Sequence, residues 1–355
     1  MAYTTIDDPS AYFQTALYSG DSSSVTVTND GNSDLQPDWL WFKKRSATGD
    51  HNIFDTSRGL TERLWTNLSS GSDSGSNGIS ALTDGFTSGT FYGDVNASGQ
   101  TFITWQWKAN GGTTTTNDAS ATSIGSIDSV YQANTTAGFS IVTYTGTGST
   151  GTIAHGLGAT PTVIFIRRRN GAGDWTSYHS PIGNEKFLRL NSTNAMGDQA
   201  TYFNDTSPTS TVFTVGSAGD VNTSSGTHVA YCFTDIQGYS KYGTYEGNNN
   251  SNGPFIYLGF QPALFIVKNV DSTAAWRIYS NKISNQNGFN DLDRLLYANT
   301  NEAESGTGHV VDFLSNGIKI RSNGVSFNNH TGQVLCLAFA EAPIVGSNNV
   351  PATSR

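Results

Sequence analysis

Six histidines (His51, His155, His179, His228, His309 and His330) and two cysteines (Cys232 and Cys336) carry the widest chemical range in this 355-residue chain. Their spacing puts little of that range to use. No two histidines share a zinc-type His-x-x-x-His spacing, and neither cysteine has a Cys-x-x-Cys partner. The carboxylate pairs Asp7-Asp8 and Glu302/Glu304 lack the apolar frame that raises a carboxyl pKa for general acid catalysis. Asp291, Asp293 and Asp198 offer weak cation ligands only, because the Asp-x-Asp-x-Asp calcium loop is missing. There is no Gly-x-Ser-x-Gly elbow, P-loop or dinucleotide fingerprint. No catalytic, cofactor-binding or metal residue is therefore assigned, no cofactor is expected, and the reading is a protein that is not an enzyme.

The residues that do follow a rule recur three times. Pro37, Pro161 and Pro262 are each followed by an apolar run, Trp39-Leu40-Trp41-Phe42, Val163-Ile164-Phe165-Ile166 and Leu264-Phe265-Ile266-Val267. A cation stands six residues after each proline (Lys43, Arg167, Lys268), and a ring fourteen after it (His51, Trp175, Trp276). A Tyr-x-Gly precedes each, beginning at Tyr18, Tyr144 and Tyr245. Each unit closes with an aromatic-apolar strand ending at Trp107, Phe233 or Phe339, and the first two share Gly-Asp-Val-Asn upstream of it. The chain is a tandem triplication. Each repeat is on the order of 100 residues, the size of a small domain rather than a solenoid unit.

Composition narrows the class. Thirty-nine glycines, 12 % aromatic and only 13 % charged residues describe a turn-rich all-β protein, much of whose surface faces other subunits. A net charge of −9 disfavours nucleic-acid and anionic-membrane partners. No apolar run reaches the ~20 residues that span a bilayer. The start has neither a basic nor an apolar signal region, so no signal peptide is expected and synthesis is placed in a cytoplasm. Arg167-Arg168-Arg169, the single basic cluster, reads better as a solvated or inter-subunit pairing site than as a phosphate site. Cys232 and Cys336 lie in closing strands of different repeats and are expected as buried free thiols.

These elements are placed by short strands. Phe139 to Tyr144 alternates with period two, and Thr162 to Arg169 is a proline-led β-branched run. Trp175–His179, Lys186–Leu190, Ser210–Val215 and His228–Phe233 follow. Helical turns are expected only around 292–296 and 300–304. Each repeat is predicted to be a β-sandwich module, jelly-roll-like, with a small barrel as the alternative. The boundaries are an arm plus module over 1–110, a Gly/Thr/Ser-rich linker over 111–137, modules over 138–237 and 238–343, and a tail over 344–355. The second junction is expected to be the stiffer. Trp175 and Trp276 suit either sugar stacking or the core, and their recurrence favours the core.

Several stretches also resemble a family of virion structural proteins of tailed bacteriophages, of the tail-fibre-like type found in phages of marine and cyanobacterial hosts. They are Met1 to Ile6, Ser10 to Thr15, His155 to Gly158, Gly238 to Gly243, Ala338 to Pro343 and Gly346 to Arg355. The resemblance implies a structural component of the particle, with host attachment often proposed, and implies no catalytic residues. The resulting expectation is a tail-fibre or adhesion-device subunit located in the virion, homo-oligomeric with a trimer favoured. It would contact other virion proteins and a host surface glycan. A capsid decoration or head-fibre protein and a carbohydrate-binding module are the alternatives. A polysaccharide depolymerase is disfavoured by the missing acid/base pair.

Overall fold

In all three repeats the proline-led apolar run alternates between two destinations, and this alternation organises the molecule. The computed structural model describes residues 2–90, 92–283, 291–328 and 332–348. It is an all-β protein, with no helix longer than four residues among those described.

Each repeat builds one antiparallel sheet with the same strand order: opening, closing, proline-led, ring and fourth strand. The opening strands are Phe13–Ser19, Phe139–Thr145 and Ser240–Glu246; the closing strands are Thr101–Trp107, Thr227–Phe233 and Gln333–Pro343. The proline-led strands are Trp39–Lys44, Val163–Arg168 and Phe260–Asn269. The ring strands are Asn52–Asp55, Thr176–His179 and Arg277–Ser280, and the fourth strands Glu62–Trp65, Lys186–Arg189 and Asp291–Tyr297. First and last strands of a repeat are thus hydrogen-bonded neighbours, which makes each repeat a topological unit.

A strand sends successive side chains to opposite faces. On one face Leu40 and Phe42, Ile164 and Ile166, and Phe265 and Val267 enter three separate clusters, one per repeat. On the other face Trp39 and Trp41, Val163 and Phe165, and Leu264 and Ile266 all enter a single cluster common to the three repeats. The closing strands add Trp105 and Trp107, Tyr231 and Phe233, and Leu337 and Phe339 to it. Rings from different repeats touch there: Trp107 and Phe339 lie 5.4 Å apart, Phe233 and Phe339 5.8 Å, Trp39 and Tyr231 4.6 Å. The three sheets therefore pack back to back around a shared pseudo-threefold axis. The inner face of each sheet is covered by the other two repeats, while in the first two repeats a small second sheet (Val25–Val27, Phe86–Ser88 and Ile79–Ala81 in the first, Gly151–Ala154 and Val212–Val215 in the second) covers the outer face and shares its core.

The outer core of each repeat is held by one device repeated three times. A four-residue helical turn (Gly93–Asn96, Gly219–Asn222, Val325–Asn328) precedes the closing strand. The tyrosine of each Tyr-x-Gly donates its hydroxyl to the main chain of that turn, at Val95, Val221 and Phe327, each at 2.6 Å. The glycine is needed for close approach: a Cβ at Gly20 or Gly146 would lie 2.4 Å from the carbonyl oxygen of Ala97 or Thr223. The last residue of the turn, Asn96, Asn222 or Asn328, uses its amide on both sides. Its Oδ1 accepts from the main-chain N–H of Asp21, Thr147 or Asn248 at 3.0, 2.8 and 2.8 Å. Its Nδ2 donates to two carbonyls, in the second repeat those of Ser149 at 2.7 Å and Gly216 at 2.8 Å.

Two sequence expectations are corrected. The 111–137 stretch is not a free linker. Thr115–Asn117 and Ser129–Asn134 add two strands to the second sheet, and Ala119–Thr122 is a helical turn capped by Asp118. Buried Gln132 ties this segment back to the first repeat through Thr56, Ser57 and Asn110, so the first junction is fastened too. Around 292–296 the chain is strand rather than helical turn. A register shift between Leu292 and Arg294 lets Leu292 and Leu295 enter the third outer core while Leu296 enters the shared one. Residues 300–304 are likewise not helical.

Candidate functional site

The recurring ring, cation and small residue converge on the seams between repeats, and they do so cyclically. Trp175 of the second repeat donates its indole N–H to the carbonyl of Trp65 in the first, at 2.6 Å. Trp276 of the third donates to Arg189 of the second at 2.9 Å. His51 of the first closes the circle on Tyr297 of the third, with 2.9 Å from Nε2 to oxygen. Each acceptor is the last residue of a fourth strand. The indole of Trp41 donates to His51 Nδ1 at 2.8 Å, which fixes the proton on Nε2 and makes histidine the donor that tryptophan is elsewhere.

The main chain follows the same rotation. Twelve residues after each proline, Gly173, Ala274 and Gly49 donate their N–H groups to Ser69, Thr193 and Asn301 at 2.9, 2.9 and 2.8 Å. Eight residues after each proline, the carbonyls of Arg169, Val270 and Arg45 accept from Ser72, Met196 and Glu304 at 2.6, 2.7 and 2.9 Å. Six equivalent bonds, two per seam, relate the repeats as a rotation would.

The cations complete the set. Lys43, Arg167 and Lys268 have no exposed surface. Lys268 Nζ donates to the carbonyls of Asn269 at 2.8 Å and, across the seam, Thr193 at 3.2 Å. Lys43 does the same with Lys44 at 2.8 Å and Asn301 at 3.4 Å, and Arg167 reaches Ser70. Burial without a directly paired carboxylate pulls both lysines down to about 8 and Arg167 to about 10. A lysine lowered this far suits covalent catalysis, but these two point at peptide carbonyls inside the protein and have no opening to a substrate. Their work is fastening.

The remaining candidates are structural as well. Trp175 and Trp276 are 1 % and 0 % exposed, so neither is a sugar platform. His155 and His228 are held neutral by burial at about 4 and His179 at about 3, and burial takes His51 well below its ordinary value. His330 and the side chains of His309 and Asp291 lie outside the described residues. Arg169 pairs with Glu62 of the first repeat at 2.9 Å, so the basic cluster is an inter-repeat pairing site. Glu304 pairs with Arg45 at 2.5 Å across the first–third seam, Asp198 with Lys186 at 2.5 Å, and Asp7 accepts from Ser347. Asp8 accepts from Ser10 and Ser33. Cys232 and Cys336 are buried free thiols in different outer cores. Among the described residues no group of histidine, cysteine and carboxylate side chains is placed to hold a metal, and no helix is long and apolar enough to cross a membrane.

Sequence reasoning missed one buried ionic group. Asp55 and Arg58 pair at 2.5 Å with both side chains fully buried, and Tyr231 of the second repeat donates to the same carboxylate at 2.6 Å. Neither residue recurs in the other repeats, so the periodic signal passed over them. Asn328 was legible: it stands eleven residues before its closing aromatic, as Asn96 and Asn222 do.

The chain belongs to the family described as a domain of unknown function, DUF7483, whose model matches residues 8–343 and so spans all three repeats as one unit. No curated protein matches the chain.

Proposed function

We propose that the protein is a non-enzymatic structural component of a tailed-bacteriophage particle, a tail-fibre or adhesion-device subunit acting in host attachment. The observation that carries this reading is the destination of the repeated residues. The recurring ring fourteen residues after each proline, the cation six after it and the small residue twelve after it are all engaged in a seam, which is the economy of an assembly part. The resemblance of the 1–6, 10–15, 238–243 and 338–343 stretches to virion proteins supplies the location. Other virion proteins are its partners, and a host surface glycan is the external contact.

A capsid decoration is the second reading, favoured by the pseudo-threefold axis, because a single chain of this shape can seat on a threefold position. The same axis bears on stoichiometry: the threefold arrangement expected from a homotrimer already exists inside one chain of 37.8 kDa. Native mass measurement separates the single chain from a trimer of it. Imaging of particles labelled with an antibody to the protein tests the reading itself. Label on the tail is expected, label over the head favours decoration, and label absent from intact particles overturns both.

A further inference from the structure

The three repeats treat one strand edge differently. Thr26, Thr152 and Phe255 stand opposite Thr87, Thr214 and Lys319 and are equivalent. The residue after each, Val27, Ile153 or Ile256, packs into its own outer core. In the second repeat this edge is covered by the chain's own 111–137 stretch. The carbonyl of Thr152 accepts from the N–H groups of Ser126 and Ile127 at 2.8 and 3.0 Å, and its N–H donates to the Ser126 hydroxyl at 2.9 Å. Ile127 bridges to Ile153 in the parallel sense and is buried in the second outer core.

The third repeat has no such cover, because only residues 234–239 separate the closing strand at Phe233 from the opening strand at Ser240. Its equivalent strand, Phe255–Tyr257, is the last of its sheet. The carbonyl of Pro254 accepts from the N–H of Ile320 and the N–H of Leu258 donates to Asn316, both at 3.0 Å. Main-chain groups of an antiparallel pair alternate between the partner strand and the opposite side, so those of Phe255 and Tyr257 point outward. No other described residue hydrogen-bonds to them. The side chains of Phe255 and Tyr257, 46 % and 57 % exposed, are the two most exposed large hydrophobic groups among the described residues. An uncovered edge that carries apolar side chains is a template for another strand.

We propose that the Phe255–Tyr257 edge takes up an extended segment of another protein, which adds to the third sheet as Ser126–Ile127 adds to the second. Main-chain bonds hold such a segment and its side chains select it. Lys319, opposite Phe255, turns its ammonium onto the carbonyl of Gly253, so the edge offers no free charge there and suits an uncharged segment. Pro254 stands where Gly151 makes room for Ile127, since a Cβ at Gly151 would lie 2.6 Å from the Ile127 side chain. The visiting apolar residue therefore meets Pro254 and Phe255 at the surface instead of entering the core. A second copy of this chain has no spare segment of this kind, because its own Ser126–Ile127 is already seated. The proposal rests on the functional reading only for the source of the segment, another protein of the particle.

The test uses the purified full chain and a fluorescent peptide with the sequence of residues 121–127, Ala-Thr-Ser-Ile-Gly-Ser-Ile. Anisotropy should rise at millimolar protein, and amide exchange at Phe255 and Tyr257 should slow. The same peptide N-methylated at its last two residues loses the N–H donors and should bind about tenfold more weakly or worse. Phe255→Lys, at an exposed position, should keep its Tm and weaken the peptide by a similar factor. The proposal is overturned if the peptide does not bind, or if the N-methylated peptide binds equally, which would mean contact without strand addition. It is equally overturned if Phe255→Lys binds as wild type. Native mass that shows a dimer of the chain alone, lost in Phe255→Lys, would give the edge to a second copy and overturn it too. Particle labelling is unaffected by any of these outcomes, so failure here is distinct from failure of the virion reading.

Discussion

At the scale of single residues, the seams concentrate unusual chemistry in a few side chains. Trp276 is fully buried, packs against the His179 ring at 5.8 Å and donates to a neighbouring repeat. Trp276→Ala should cost about 3–5 kcal/mol, read as a large drop in Tm. Trp276→Phe should cost less, because it keeps most of the bulk and forfeits mainly a hydrogen bond worth ~1 kcal/mol. Adsorption to host cells should fall only in proportion to unfolding; adsorption lost at unchanged Tm would place this indole on a surface after all. The histidines set the acid response. Four of them are neutral when folded, with pKa values of about 4, 3 and 4 for His155, His179 and His228, and His51 well below its ordinary value. The unfolded chain binds these protons near pH 6.5 and the folded chain does not. Stability therefore falls as pH drops below about 6.5, down to about 3–4. Asp235, raised by burial to about 6, and Asp38, also raised by burial, oppose this above the unfolded carboxyl value, but they are two groups against four. Lys43 and Lys268 act on the alkaline side. Their folded pKa of about 8 lies below the unfolded value, so stability rises from pH 8 toward 10. Denaturant midpoints should climb from pH 4 to about 8, and a maximum near pH 6 would contradict this account. Above about 9 the thiols of Cys232 and Cys336, raised by burial, oppose the lysines, because only the unfolded chain loses those protons.

Among elements, the most informative is the helical turn before each closing strand. It is too short to be stable alone and is kept by its tyrosine and asparagine. Asn222→Ala removes three bonds, one to the buried carbonyl of Gly216 and two to the partly buried N–H of Thr147 and carbonyl of Ser149, a loss of about 2–3 kcal/mol. Tyr144→Phe removes one bond at the same turn and should cost about 1 kcal/mol. Chemical denaturation of the two variants checks the ratio. Equal losses would mean that the turn is held by packing of Val221 rather than by its polar contacts.

For the molecule as a whole, the shared core predicts cooperativity. Repeats with closed individual cores would melt separately. Sheets that cover one another's inner faces should unfold together, in one calorimetric transition with an enthalpy of about 250 kcal/mol near 60 °C for the full length. Three resolved transitions of about a third of that would show independent repeats. The seams make a second prediction. A protease site inserted between Thr113 and Thr114, both exposed, should be cut without separating the pieces, because two seams and the core still hold the first repeat. Native sizing of the cut protein should match the intact chain, with two fragments resolved only under denaturing conditions. Release of the first repeat on cutting would show that covalent linkage carries the ring.

The sequence alone determined the triplication, the all-β class, the proline-led strands and the burial of Trp175, Trp276 and both cysteines. These follow from local pattern: period-two alternation, glycine and asparagine turns, and spacing that repeats. It also held the Asn96, Asn222 and Asn328 series, visible from their common distance to the closing aromatic. It could not say which core each face serves, since a strand buried on both sides reads the same whether the second cover comes from its own repeat or from another. That choice is made by long-range packing, as is the cyclic path from Trp175 to Trp65, Trp276 to Arg189 and His51 to Tyr297. The ionic group of Asp55 and Arg58 and the open strand edge at Phe255 depend on the tertiary structure as well. Each arises where the three repeats differ, and a difference acquires meaning only when the equivalent residues are superposed about the axis.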